Sequence, residues 1–98
     1  MTLRVRFRSK AEGDILNAAR YYETKSESLG LQFFERIDDV VDLIRDHPKM
    51  FPICFGPFRR ALLKQFPFAL YYEMENHTIV VGAVLHQHRD ITGFGDLK

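Results

Sequence analysis

Residues 66–89 admit few folds. They read Phe66-Pro67-Phe68-Ala69-Leu70-Tyr71-Tyr72-Glu73-Met74-Glu75, then Asn76-His77, then Thr78-Ile79-Val80-Val81-Gly82-Ala83-Val84-Leu85, and the apolar run stops at His86-Gln87-His88-Arg89. Two runs rich in β-branched and aromatic residues, joined through Asn76, predict an antiparallel hairpin. Its last strand delivers polar side chains to its end, and a rigid strand is a good platform for a site. Tyr71 and Tyr72 fall on opposite faces of the strand, so one is expected in the core and the other in solvent.

Upstream, Leu3, Val5 and Phe7 alternate with Arg4, Arg6 and Arg8, the period of a half-buried strand. The arginines are either a solvated face that blunts an exposed edge or a stripe that binds a partner. Ser9-Lys10-Ala11-Glu12 has the capping-box pattern, which places a helix start near residue 10. Ala11, Ile15, Ala18, Ala19 and Tyr22 then share one helical face. The polar stretch Thr24 to Ser28 and Gly30 are expected to break this helix, with Ser26 and Ser28 as N-cap candidates for the next. Phe33, Phe34, Ile37, Val40, Val41 and Ile44 form the apolar stripe of the second helix, and Asp38, Asp39, Asp42 and Asp46 lie off it. Pro48 ends it, because the residue before proline is pushed out of the helical region. Residues 48–57 predict a connecting loop whose Phe51, Cys54 and Phe55 rest on the body. A third strand is expected from Phe58 through Gln65. The order predicts an α+β fold: an N-terminal strand, then an antiparallel helical hairpin packed on one face of an antiparallel sheet that ends in a three-stranded meander.

At 98 residues the chain is expected to form a single domain over 1–98. The single cysteine, Cys54, excludes an internal disulfide and a cysteine-based zinc cluster. No apolar run is long enough to span a membrane, and the N-terminus lacks a signal-peptide core, so a cytoplasmic location is expected. The net charge of +1 is unevenly placed. Residues 9–47 hold five Lys/Arg and nine Asp/Glu, a balance of −4; the rest hold nine and four, a balance of +5. The expected sheet, not the expected helices, is therefore the natural contact for a polyanion.

Arg59, Arg60 and Lys64 fall on the first strand of the meander, and His86, His88 and Arg89 at the end of its last. Antiparallel neighbours can gather these groups into one basic patch, or leave them as a solvated edge. His86 and His88 are two apart and point the same way if the strand continues. A zinc site needs three or four ligands, and only Asp90 offers a third, so no metal site and no cofactor are expected. A histidine suits general acid–base work at neutral pH, which makes His86, His88 and Arg89 weak catalytic candidates. No phosphate loop, nucleophile elbow or carboxylate pair on one element is present.

The chain resembles the RelE/ParE superfamily of bacterial type II toxin–antitoxin toxins, and within it the ParE-like plasmid stabilisation branch. The resemblance spans nearly the full length. It runs through Tyr21-Tyr22-Glu23, Leu29-Gly30-Leu31-Gln32-Phe33-Phe34, His47-Pro48 to Phe51-Pro52 and Arg59-Arg60-Ala61-Leu62-Leu63-Lys64-Gln65-Phe66-Pro67-Phe68. It is strongest over Ile79-Val80-Val81-Gly82-Ala83-Val84-Leu85-His86-Gln87-His88-Arg89-Asp90. It implies a small toxin neutralised by a cognate antitoxin whose C-terminal segment folds on binding. RelE-like members cleave mRNA on the ribosome with several basic residues; ParE-like members poison DNA gyrase and are not known catalysts. RelE-type enzymes carry an arginine in the third strand, in a Tyr-Arg-Leu-like triplet. Here the triplet is Phe68-Ala69-Leu70, without the guanidinium that would stabilise developing phosphate charge. The ParE-like ending, Arg-Asp-Pro followed by an aromatic, is Arg89-Asp90-Ile91-Thr92-Gly93-Phe94 here, with the aromatic kept and the proline lost.

These features favour a gyrase-binding toxin whose target contacts come from Arg59, Arg60, Lys64, His86, Arg89, Asp90 and Phe94. Arg4, Arg6 and Arg8, beside an apolar groove along the helical hairpin, are the candidates for antitoxin contact. The alternatives are a ribosome-dependent mRNA endonuclease and a non-toxic antitoxin-binding remnant.

Overall fold

The computed structural model describes residues 3–88. Its elements are β1 (Arg4–Phe7), α1 (Ser9–Lys25), α2 (Leu29–Asp46), β2 (Ile53–Phe55), β3 (Phe58–Leu62), β4 (Phe68–Glu75) and β5 (Thr78–His86). The expected hairpin is β4–β5, and its register closes at Glu75 opposite Thr78. Between them, Asn76 and His77 both take positive φ, 46° and 61°. That is the left-handed pair a tight hairpin needs to match the twist of its strands. Near mid-length the register slips: Tyr72 faces Val81 but Tyr71 faces Ala83, leaving Gly82 unpaired as a bulge. The slip changes which residues face the helices, Ile79 and Val81 before it and Val84 after it.

The five strands lie in the order β1-β5-β4-β3-β2. The meander is antiparallel, and β1 joins β5 in parallel, Arg4 opposite Thr78 and Phe7 opposite Val81. Such a pairing needs a crossover, which the two helices provide. The stretch expected to be only a loop, 48–57, contains β2, and β3 stops at Leu62 instead of running to Gln65. A left-handed Gln65 (φ 73°) turns the chain there, and its side chain is held by Gln32 and Arg36.

The helix starts correct the expected capping. Arg8, not Ser9, is the N-cap of α1, and no side chain caps it; Glu12 N–H donates to the Arg8 carbonyl instead. Sheet pairing carries on as far as Arg8, whose N–H donates to the Val81 carbonyl, so Ser9 already lies in the first turn. Ser28 is the N-cap of α2, in the left-handed region, but its hydroxyl makes no capping bond, and Ser26 closes α1. The Glu23 carboxylate does the capping, accepting the N–H groups of Ser28 (3.1 Å) and Gly30 (2.9 Å). Gly30 is not a breaker: it lies inside α2, where a Cβ would come 2.8 Å from the Ala19 carbonyl. It marks a close approach of the two helices.

Between helices and sheet lies the main core, from Ala11 and Ile15 through Phe33, Ile37 and Ile44 to Leu70, Tyr72 and Ile79. Tyr22, Phe33, Phe66 and Phe68 pack together at one end, Tyr22 stacked on Phe33 and the other pairs tilted or edge to face, with centroids 4.6 Å apart for Tyr22–Phe66 and 5.3 Å for Phe33–Phe68. Phe34, expected in the stripe, is 39% exposed, because it lies about 100° around the helix from Phe33. Tyr71 and Tyr72 do point to opposite faces, yet both are buried. The sheet's other face has a cluster of its own, Phe58, Ala69, Tyr71, Ala83 and Leu85.

Candidate functional site

The cations expected to meet at the end of the meander are divided by strand alternation. Both β3 and β5 run antiparallel to β4, so their C-terminal ends coincide: Leu62 faces Ala69, and Ala69 faces Leu85. Lys64, just past β3, therefore lies at the same end of the sheet as His86 and His88. Arg60 lies farther up, opposite Tyr71, on the face away from the helices; Arg59, opposite Tyr72, is on the helix face. The Arg59 guanidinium donates to the carbonyls of Phe51 (2.7 Å) and Lys49 (3.2 Å), which fastens the 48–52 loop to β3. Arg89, Asp90 and Phe94 lie outside the described residues.

His86 and His88 do come together, with ring centroids 5.3 Å apart and Phe68 edge-on to His86 at 5.5 Å. The cause is a turn, not a continued strand. His88 N–H donates to His86 Nδ1 at 3.2 Å, so in the neutral ring Nδ1 accepts and Nε2 holds the proton. His86 thus offers its surroundings a donor. Among the described residues no group of three His, Cys, Asp or Glu is placed to hold a metal ion. Burial raises the Cys54 thiol pKa, with Arg60 partly opposing it, so the group is a weak nucleophile.

At the other edge of the sheet, two of the three arginines along and just past β1 meet carboxylates within the chain. Arg8 Nη2 lies 3.2 Å from Glu73 and 3.3 Å from Glu75, and Arg6 lies 3.8 Å from Glu75. Glu73 and Glu75 share the arginines' face because β5, between them, carries both pairings. The alternation of β4 places these carboxylates on one face, but the sequence does not say which strand lies two places away.

Beside β1 runs an apolar groove of about 290 Å³, lined by Phe7, Ile15, Leu16, Phe34 and Ile37. A second hollow of about 250 Å³ continues it past Gly30 and Leu31, again with Leu16 and Phe34. Leu16, Leu31 and Phe34 are 45%, 61% and 39% exposed, so the hairpin shows solvent a second, weaker apolar stripe. Sequence reasoning missed Leu16 and Leu31; their spacing off the core stripe was the available signal.

This strand–helix–helix–meander arrangement has known counterparts. The family described as the ParE toxin of the type II toxin–antitoxin system, parDE, matches residues 5–91. The chain belongs to the ParE toxin family. A chain of the chromosomal ParDE toxin–antitoxin system from P. aeruginosa superposes with a TM-score of 0.62 at 13% identity, covering 87% of this chain and 96% of that one. A chain of the toxin–antitoxin complex RelBE2 from Mycobacterium tuberculosis gives 0.59 at 16% identity, with 88% and 99% covered. Among curated proteins no sequence matches. The family match makes this chain a type II toxin, and the distant structures show that its fold is shared across the ParE and RelE branches. No described helix is long and apolar enough to cross a membrane.

Proposed function

We propose that this ParE-family toxin acts in the cytoplasm, as one domain over 1–98, by binding and disabling DNA gyrase, and that a cognate antitoxin holds it inactive. The observation that carries the binding reading is Ala69. It occupies the place where the resemblance puts an arginine in the mRNA-cleaving branch, and it is fully buried in the cluster of Phe58, Tyr71, Ala83 and Leu85. No cation can act from that position. The division of Arg59 and Arg60 between two faces also weakens any single phosphate-gathering site. Supercoiling by purified gyrase tests the proposal: added toxin should block it or trap a cleavage complex, and unimpaired supercoiling would overturn it. Cleavage of messages in a translating extract, lost in His86→Ala, would favour the endonuclease reading instead.

The antitoxin surface fits the groove beside β1. An amphipathic helix can lay its apolar face on Leu16, Phe34 and Phe7, and an extended segment can add to the outer edge of β1. Arg4, exposed and its guanidinium without a described partner, and Arg6, in one long pair, are available to an acidic tail. Arg8 is committed to Glu73 and Glu75 and has less to offer.

A further inference from the structure

The cations of this chain are unequally satisfied. On the β1 side, Glu73 and Glu75 take up Arg6 and Arg8. On the β2–β3 side, Lys49, Arg60 and Lys64 make no ion pair with any described carboxylate, and the Nε of Arg60, like that of Arg8, is buried without a hydrogen-bond partner among the described residues. Arg59 bonds only to carbonyl oxygens there. The nearby Asp39 is engaged by Arg36 at 3.0 Å.

An apolar groove runs among these charges. One part, about 280 Å³, lies between α2 and the end of β3, where Val40, Leu43 and Leu62 line it together with Lys64 and the paired Arg36 and Asp39. The other, about 310 Å³, is lined by Phe51, Pro52, Arg60 and Leu62. Leu62 belongs to both, so they adjoin. Leu62 is 52% exposed and Leu43 41%.

The backbone supplies a further feature. β2 covers β3 only as far as Arg60, whose N–H donates to the Pro52 carbonyl, whereas Leu63 N–H donates inward to Phe68. Alternation then turns the N–H and C=O of Leu62 outward, where they find no partner among the described residues. An open strand edge, an apolar groove and unbalanced positive charge thus meet at one residue.

We infer that the open edge of β3 docks an extended acidic segment of a second protein. The segment adds a short strand against Leu62, rests an apolar side chain on Leu43 and Leu62, and sets carboxylates against Arg60 and Lys64. A nucleic acid would satisfy the cations but brings no aliphatic side chain to cover Leu43 and Leu62, whereas a peptide strand matches both these and the outward Leu62 donor and acceptor. β1 and β3 are three strand spacings apart, roughly 14 Å, so this site is separate from the groove beside β1. Naming the segment's owner as the toxin's target rests on the proposed function; the docking chemistry does not.

Nuclear magnetic resonance titration of the folded chain decides it, with three probes: an alternating Glu–Leu peptide, a Lys–Leu peptide of equal length and a single-stranded DNA oligonucleotide. The Glu–Leu peptide should shift the amides of Leu62 and Lys64. The double variant Arg60→Glu and Lys64→Glu should weaken it about tenfold or more and shift preference to the Lys–Leu peptide. Leu62→Pro removes the outward N–H at an edge position that tolerates proline, and Leu62→Glu, with the backbone donor kept, covers the case of a misfolded proline variant; both should weaken the peptide. Shifts confined to β1 and the helices, tighter binding of the oligonucleotide, or indifference to the charge reversals would overturn the inference. In cells the double variant should relieve growth arrest while still binding antitoxin. If the unaltered chain causes no arrest, the toxin reading fails while the peptide result stands by itself.

Discussion

Asp14 Oδ2 accepts the backbone N–H of Val84 at 3.0 Å. β1 pairs with β5 only through Val81, apart from the Arg8 bond to the Val81 carbonyl, and the outer edge of β5 beyond it would otherwise be bare. A carboxylate on α1 thus does for one backbone group what a longer β1 would have done. It also fixes the helix along the strand, and Lys10, 3.2 Å away, balances its charge.

Asp14→Ala should destabilise the fold by about 1–3 kcal/mol, the usual cost of leaving a part-buried donor without its acceptor. Asp14→Asn keeps an oxygen for Val84 and gives up only the charge, and should cost about 1 kcal/mol or less. Urea denaturation of the two variants checks the order; equal losses would remove the hydrogen bond as the cause.

Gly30→Ala should cost about 1–3 kcal/mol, because its Cβ would sit 2.8 Å from a backbone oxygen that cannot turn aside. Glu23→Ala should cost about 1 kcal/mol through loss of its two capping bonds. For a domain this size each kcal/mol lowers Tm by roughly 4–8 °C, so thermal unfolding resolves both.

Burial raises the Tyr72 phenol pKa above its ordinary value, with Arg59 partly opposing, and the hydroxyl donates to the Pro48 carbonyl at 2.7 Å. The folded state then holds its proton more tightly than the unfolded chain. The resulting stability is complete below about pH 10 and is lost as pH rises from there through the folded-state value. Tyr72→Phe should lose about 1 kcal/mol at neutral pH and show a shallower alkaline decline. Denaturant midpoints across that range, followed with tyrosinate absorbance, give the comparison.

Phe34→Asp should leave stability nearly unchanged and weaken antitoxin binding about 30-fold or more, as for a central apolar anchor of roughly 2 kcal/mol. Arg6→Glu should weaken it less, since its pair with Glu75 is exposed and long. Calorimetric titration with antitoxin measures both. An unaffected Phe34→Asp would move the antitoxin elsewhere.

Ala69→Arg should not confer message cleavage, and should destabilise by about 3 kcal/mol or more, because the position is fully enclosed. A stable, cleaving variant would reopen the endonuclease reading.

The sequence by itself determined the order of β1, the two helices and β3 to β5, the hairpin through Asn76-His77 and, Phe34 apart, the core faces of both helices. Each is written in local periodicity or turn chemistry, and none depends on a distant residue. Three-dimensional pairing decided the rest. Arg6 and Arg8 looked free until β1 joined β5 and brought Glu73 and Glu75 across to them. Ser9 and Glu12 formed a capping box on paper, but sheet pairing through Arg8 moved the helix start. One of Tyr71 and Tyr72 was expected in solvent because a half-buried sheet has one buried face, and here both faces are buried. Arg59 and Arg60 looked like one patch, and a strand's alternation sent them to opposite faces. Charge and burial depend on which chain segments become neighbours, and that is settled only when the strands choose their partners.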